Sequence, residues 1–185
     1  TVSAAIYADG HDLLAAQILY RHRTDRKWRT TPMKALGNDL WSGSFSVDAI
    51  GGWSYTVQGW IDRFETWASD LKKRMAAWTA ENETDSREKA LVFRTGAILV
   101  REASLRARGA DAKRLAEAAR TLDGLAGEKI IDYAYPFDTE IHRLMARYPD
   151  LRQATQFEPE LAIVVDRQLA CFSAWYEMFP RSASL

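Results

Sequence analysis

The sequence WSGSFSVDAIGGWSYTVQGWI occupies residues 41–61 and alternates apolar with polar side chains on both sides of a double glycine. A period of two is typical of strands that have one buried face. The alternation therefore predicts strands at 41–47 and 53–61. Gly51-Gly52 between them is typical of a tight turn, so the two strands are predicted to pair as a hairpin.

Three further strands are predicted nearer the amino terminus, at residues 2–8, 13–22 and 28–36. Asp9-Gly10 separates the first two, and the polar stretch 23–27 separates the second from the third. Five short strands with turn residues between them are typical of a β-sandwich.

From about Arg63 onward the apolar spacing becomes helical. One helix is predicted to start at a cap formed by Asp111, and another to follow Asp138 and stop at Pro149. A longer helix is predicted over 86–108, and 64–78 fits either a helix, which we favour, or a continued strand. The apolar stripes can be buried only against one another or against a partner. They comprise Leu91, Ile98 and Leu105; Ala112, Leu115, Ala116, Ala119, Leu122 and Ala126; and Ile141, Leu144, Met145 and Tyr148.

After Glu158-Pro159 the pattern returns to strand at 161–165 and again at 174–179. Strands thus enclose helices along the chain. The predicted fold class is α+β, an immunoglobulin/fibronectin-like β-sandwich with an inserted α-helical bundle domain. The sandwich is assigned to residues 1–62 and 159–173, and the insertion to 63–158.

The composition selects no charged partner, because 25 basic residues balance 25 acidic ones. The single cysteine, Cys171, cannot form an internal disulfide, and the sequence contains neither a signal segment nor a long apolar run. We expect a soluble cytoplasmic protein with no nucleic-acid or membrane partner. The basic cluster 21–29 is best interpreted as a solvated loop, although its charge around Trp28 would also suit an anion.

No catalytic, phosphate-binding or metal-binding motif stands out, and His11, His22 and His142 lie far apart in the sequence. We therefore predict no catalytic residue, metal ion or cofactor. The seven tryptophans suggest sugar stacking instead. Trp60 lies on the polar face of its strand and, with Trp28, is the candidate contact for α-glucan. Burial of Trp60 beneath the helices is the alternative.

Several stretches together resemble a known family. They are DGHD at 9–12, PMKALGNDLWSGSF at 32–45, YTVQGWID at 55–62 with TW at 66–67, VVDR at 164–167 and AWYEMFPRS at 174–182. These stretches resemble the amino-terminal region of the α-1,4-glucan:maltose-1-phosphate maltosyltransferases of the α-amylase clan. The resemblance spans nearly the whole chain.

The resemblance implies a β-sandwich and a helical insertion that build a homodimer interface beside a catalytic barrel. It also implies maltosyl transfer from α-maltose 1-phosphate to an α-1,4-glucan, with retention through a carboxylate nucleophile and a carboxylic acid-base group. In the family those carboxylates lie on later barrel strands, so no catalytic residue is carried over. Residues 174–185 resemble the start of the barrel, and the alternative is that 174–179 closes the sandwich.

The leading functional hypothesis is a non-catalytic scaffold and dimerisation region of a maltosyltransferase, inactive alone. The full-length enzyme is expected to act on α-glucan and maltose 1-phosphate. The alternative is a carbohydrate-binding β-sandwich module that holds α-glucan. A third hypothesis is an interaction domain that uses the basic cluster 21–29.

Overall fold

The fold combines helices with antiparallel sheets, which confirms the predicted α+β class. The computed structural model describes residues 1–78, 86–126 and 135–171. Within these residues the strands are β1 (Val2–Ala5), β2 (Leu14–His22), β3 (Arg29–Pro32), β4 (Lys34–Gly37), β5 (Leu40–Gly43), β6 (Gly51–Ile61), β7 (Thr155–Gln156) and β8 (Leu161–Val165). The helices are α1 (Arg63–Ala77), α2 (Ser86–Arg106), α3 (Gly109–Leu125) and α4 (Thr139–Arg147).

The longest strand, β6, organises a five-stranded sheet. The sheet has the order β3-β2-β6-β7, and β8 also pairs with β6. β8 runs antiparallel to β6, with Gly51 opposite Val165 and Tyr55 opposite Leu161. β2 and β3 are antiparallel as well. The predicted strand at 161–165 is therefore confirmed, while the one predicted at 174–179 lies outside the described residues.

The predicted hairpin between the two alternating runs is wrong. β5 lies in a separate three-stranded sheet of order β1-β5-β4, and residues 44–50 contain no strand. The single strand predicted at 28–36 is two strands, β3 and β4, which separate at the buried Met33. β4 turns directly into β5 at Asn38-Asp39, whose φ angles of 48° and 60° suit a two-residue hairpin turn. That turn places β4 beside β5. The strand that begins at Gly51-Gly52, β6, pairs with β2, β7 and β8 instead.

The chain divides into two compact units. The first contains residues 1–4, 17–58 and the described residues from 156 onward, and the second contains 5–16 and 59–155. In the first unit a β-carbon added at Gly43 would lie 2.9 Å from Ile18 Cδ1 and 3.1 Å from Met33 Cγ. The Tyr20 and Phe45 rings stack there at 4.4 Å. Contact between β5 and β2 is therefore close, and side chains from both sheets share this unit's core.

The core of the second unit is helical. Its buried residues come from all four helices and include Phe64, Leu71, Phe93, Val100, Leu115, Leu122, Ile141 and Leu144. The ambiguous segment 64–78 is helix, as favoured. None of the described helices is both long and apolar enough to cross a membrane.

Aspartates start two of these helices. Asp62 accepts hydrogen bonds from the backbone N–H groups of Phe64 and Glu65 and caps α1. The helix predicted to follow Asp138 is α4, and the Asp138 side chain caps it by accepting a hydrogen bond from the Glu140 N–H. The cap predicted at Asp111 is wrong, because α3 begins two residues earlier, at Gly109.

The Asp111 carboxylate forms tertiary contacts instead of a cap. It accepts hydrogen bonds from Arg147 at 2.9 Å and from the Tyr148 hydroxyl at 2.8 Å. Both partners lie at the end of α4. The carboxylate therefore holds the start of α3 to the end of α4, a contact that the local sequence pattern could not reveal.

One close contact fixes how α1 packs on α2. Gly96 is buried on α2, and a β-carbon there would lie 2.1 Å from Cζ2 of Trp67 on α1. The Trp67 indole is held in place, because its Nε1–H donates to the Val92 carbonyl at 2.8 Å. Position 96 therefore requires glycine for the close approach of the two helices.

We expect Gly96→Ala to destabilise the protein by about 1–3 kcal/mol, because the methyl group overpacks a rigid indole. The helix-propensity gain of about 0.5–1 kcal/mol is too small to compensate. Gly124→Ala is the matched control, since no atom lies within 4 Å of its added β-carbon. The control should be neutral or stabilising in urea unfolding. Equal stability of the two variants would contradict this account of the α1–α2 contact.

Candidate binding cleft

An open cleft of about 870 Å³ lies within the second unit. Its walls come from Asp12, two residues before β2, from the end of β6, from helices α1 and α2, and from the segment 150–153. Its lining includes Asp12, Trp60, Ile61, Arg63, Thr66, Trp67, Asp70, Leu71, Arg74, Leu91, Val92, Thr95, Leu99, Asp150, Arg152 and Gln153. A volume of this size falls in the range of small-ligand sites, about 300–1,000 Å³.

Trp60, the main candidate from the sequence, lines this cleft. It is the second-last residue of β6 and is half-buried, so part of its surface is open to the cleft. Trp53 on the same strand is only 2% exposed and belongs to the core. The contrast follows the alternation of the strand, because Trp53 and Trp60 are an odd number of residues apart and point to opposite faces.

Trp28 belongs to the first unit and does not line the cleft. The Arg21 guanidinium lies 4.2 Å from the centroid of the Trp28 ring and also pairs with Glu160 at 3.2 Å. Arg29 of the same basic cluster pairs with Asp48 at 2.9 Å. Acidic partners thus neutralise part of the cluster's charge, and an arginine covers one face of the indole.

Three carboxylates and three guanidinium groups line the cleft, so its formal charge is balanced: Asp12, Asp70 and Asp150 against Arg63, Arg74 and Arg152. Most of them are already paired. Arg152 binds Asp150 at 2.5 Å and Glu102 at 2.9 Å, and Arg74 binds Glu88 at 2.6 Å. The hydrogen bonds from Arg152 hold the pKa of Asp150 well below its ordinary value.

Hydrogen bonds hold the chain before β2 to the start of α1, beside the cleft residue Thr66. The Leu13 N–H donates to Thr66 Oγ1 at 2.9 Å, and the Asp62 N–H donates to the Leu13 carbonyl at 2.7 Å. Burial raises the pKa of the Asp62 carboxyl, although its two cap hydrogen bonds oppose that shift. The start of α1 is therefore held to the chain just before β2.

Sequence reasoning missed most of the polar lining. Asp12 could have been singled out, because it ends the DGHD stretch that carries the resemblance. Asp150, Arg152 and Gln153 gave no signal, since no local motif links them to β6 or α1. Among the described residues no group of three His, Cys, Asp or Glu side chains could hold a metal ion.

The comparisons with known proteins decide the family. The family model described as alpha-1,4-glucan:maltose-1-phosphate maltosyltransferase, domain N/S, matches residues 1–167. The chain belongs to this family. The resemblance inferred from the sequence stretches at 9–67 and 164–182 is thereby confirmed.

Individual maltosyltransferases show the same relationship. The chain is 36% identical over 184 residues to the alpha-1,4-glucan:maltose-1-phosphate maltosyltransferase of Chlorobaculum tepidum, covering 100% of this chain and 26% of the relative. It is 38% identical over 191 residues to that of Myxococcus xanthus, covering 99% and 27%. The chain therefore spans about a quarter of the length of these maltosyltransferases.

We expect Asp150→Asn to lower the free energy of unfolding near pH 7, because Arg152 loses one of its two carboxylate partners and keeps only Glu102. The pKa of Asp150 is lower in the folded state than the value of about 3.9 for an unfolded aspartate, so its ion pair contributes full stability at pH values above about 3.9. This contribution is lost as the pH falls below about 3.9. The difference between wild type and variant in urea unfolding should therefore shrink towards about pH 3. Asp70→Asn is the control, because within the described part of the chain Asp70 forms just one ion pair, an exposed one with Lys73. A constant difference at all pH values would rule out this ion pair as the cause.

Proposed function

We propose that this chain is a non-catalytic scaffold and dimerisation region of a maltosyltransferase. The whole protein would extend α-1,4-glucans from maltose 1-phosphate, in glycogen-type α-glucan synthesis in the cytoplasm. The observation that carries the proposal is an apolar stripe on α2 that is left exposed, in a chain that belongs to this family. The activity for which the relatives are named supports the reaction assigned to the whole protein.

The stripe consists of Leu91, Ile98 and Leu105, which are 66%, 52% and 82% exposed. Seven-residue spacing keeps these side chains close to one line along the helix. The opposite face of α2 packs in the core through Phe93, Ala97, Val100 and Ala103. α2 therefore has two apolar faces, and only one of them is covered within the unit.

A second copy of the chain is the partner that we assign to this stripe. Two copies present the same apolar line to each other, which is the self-complementarity that a two-fold interface requires. Burial of three large aliphatic side chains per copy would be worth several kcal/mol, at about 25 cal/mol per Å² of apolar surface. Contacts from the strand-rich part of the chain would add to this interface.

We propose that the domain organisation is a β-sandwich interrupted by a helical domain. The sandwich would comprise residues 1–62 and 159–173, with the insertion at 63–158. Support comes from the contact of Gly43 with Ile18 between the two sheets and from the helical core of the second unit. The catalytic carboxylates would lie in the remaining three quarters of the protein. The assignment of 174–185 to the start of a catalytic barrel concerns residues outside the described ones.

The alternative function is a carbohydrate-binding module that holds α-glucan on Trp60 or Trp28. One observation favours this alternative at Trp60, whose half-buried indole lines the cleft of the second unit. At Trp28 the guanidinium of Arg21 competes for the ring face. Glucan binding is compatible with a scaffold role, because Ile98 and Leu105 of the stripe do not line the cleft and Leu91 alone belongs to both.

We expect Leu91→Glu with Leu105→Glu to weaken the dimer of the full-length protein by at least about 30-fold. That factor corresponds to about 2 kcal/mol, the level of an interface hot spot. Both side chains are largely exposed within the chain, so the unfolding temperature of the protomer should change little. Sedimentation velocity over a range of concentrations measures the change.

Arg120→Glu on the exposed surface of α3 is the control for an added negative charge. It should leave the dimer intact. A full-length protein that stays monomeric at high concentration would refute the dimerisation role. A dimer that tolerates both substitutions on the stripe would show that α2 is not part of the interface.

A further inference from the structure

β8 carries apolar side chains on both of its faces. Its sequence, LAIVV at 161–165, is a run of five apolar residues without alternation. Such a run is typical of a strand that is covered on both faces. Ile163 lies opposite the buried Trp53 and points to the core, whereas Val164 lies opposite Gly52 and points the other way. Val164 is 71% exposed, so its face of β8 is left uncovered by the described residues.

Three more exposed apolar side chains accompany Val164. Leu161 pairs with Tyr55 of β6, and the Phe157 N–H donates to the Val57 carbonyl at 2.8 Å, so both residues are held along the same edge of β6. Leu169 follows in the short 3₁₀ helix Gln168–Cys171 and is 78% exposed. Exposed apolar groups that gather in one region mark an interaction surface, whereas single ones are normal. We call Phe157, Leu161, Val164 and Leu169 the β8 surface.

The backbone of β8 is open on one side as well. Within residues 1–78, 86–126 and 135–171, β8 pairs with β6 alone. The N–H and C=O groups on its other side therefore lack a strand partner in this part of the chain. An open edge with apolar side chains invites aggregation unless another part of the protein covers it.

Length and reach favour the rest of the same polypeptide as the cover. The chain spans about a quarter of the length of the maltosyltransferases that it matches. Residues 174–182 resemble the first strand of a catalytic barrel, and residues 166–173 separate them from β8. Eight residues span at most about 30 Å, even when fully extended. A domain tethered this closely has an effective concentration of the order of millimolar, which favours it over a separate partner.

We propose that the β8 surface is the docking surface for the catalytic part of the same polypeptide. The catalytic part covers Val164 and the open edge of β8 with an apolar face of its own, and is thereby held against the sheet. The inference rests on the proposed function, because it assumes that a catalytic barrel starts near residue 174. It is independent of the α2 stripe, since no residue belongs to both surfaces.

Thiol labelling of the full-length protein tests this docking surface. Val164→Cys and Thr121→Cys are made separately in a Cys171→Ser background, and maleimide labelling at each position is followed by peptide mass spectrometry. Both positions are exposed within the chain. We expect the thiol at position 164 to react at least about tenfold more slowly than the thiol at position 121 in the native protein, because docking hides it. The two thiols should react at similar rates in urea.

A second variant tests whether the apolar contact causes the protection. Leu169→Asp, added to Val164→Cys, places a charge in the docked surface and should speed labelling at position 164 by at least about tenfold. Leu169 is exposed within the chain, so the substitution should leave the fold intact. Arg120→Glu, added to Val164→Cys, is the control for a negative charge and should leave the protection unchanged.

Equal labelling at positions 164 and 121 in the native protein would overturn the proposal. Protection that disappears on dilution would overturn it too, because a separate molecule would then be the cover. The same labelling in the Leu91→Glu, Leu105→Glu variant separates this proposal from dimerisation. Protection that persists in a monomer supports docking within one polypeptide, whatever the outcome for the dimer, whereas protection that is lost together with the dimer refutes it.

Discussion

The close approach of α1 and α2 at Trp67 and Gly96 governs the architecture of the helical unit. A glycine on α2 allows the indole to reach the helix backbone, and its hydrogen bond to Val92 fixes the ring. Residues two positions apart on a helix point about 200° away from each other. Turning Gly96 towards α1 therefore turns Ile98 away from it, and the whole stripe of Leu91, Ile98 and Leu105 faces outward. The contact that builds the core also exposes the surface assigned to a second copy.

The same contact positions the walls of the cleft. Trp67 and Val92 line the cleft and also form the α1–α2 contact. The shape of the cleft therefore follows from core packing. Trp60 enters this site because β6 continues past the sheet's last pairing with β8, at Tyr55, and ends beside α1. Charged residues from three separate segments then complete the rim. Core packing thus determines the position of the cleft walls.

Several elements could be predicted because a local physical cause defines them. Alternation identified β6, an aspartate three residues before Ile141 identified the start of α4, and helical spacing identified α2. The predictions that were wrong concerned which of two possible partners a strand or a side chain takes. β5 was expected to pair with β6, but the Asn38-Asp39 turn placed β4 beside it. Asp111 was expected to cap a helix, but Arg147 and Tyr148 bind its carboxylate.

The sequence by itself determined the family, the order of most strands and helices, and the choice of Trp60 as the unusual tryptophan, because each of these depends on residues that are close together in the chain. Only the tertiary structure decided which face of α2 is buried and which charges surround Trp60. These features depend on contacts between residues that lie tens of positions apart. The balance of charge in the cleft exists only when the chain before β2, helix α1 and the segment 150–153 come together.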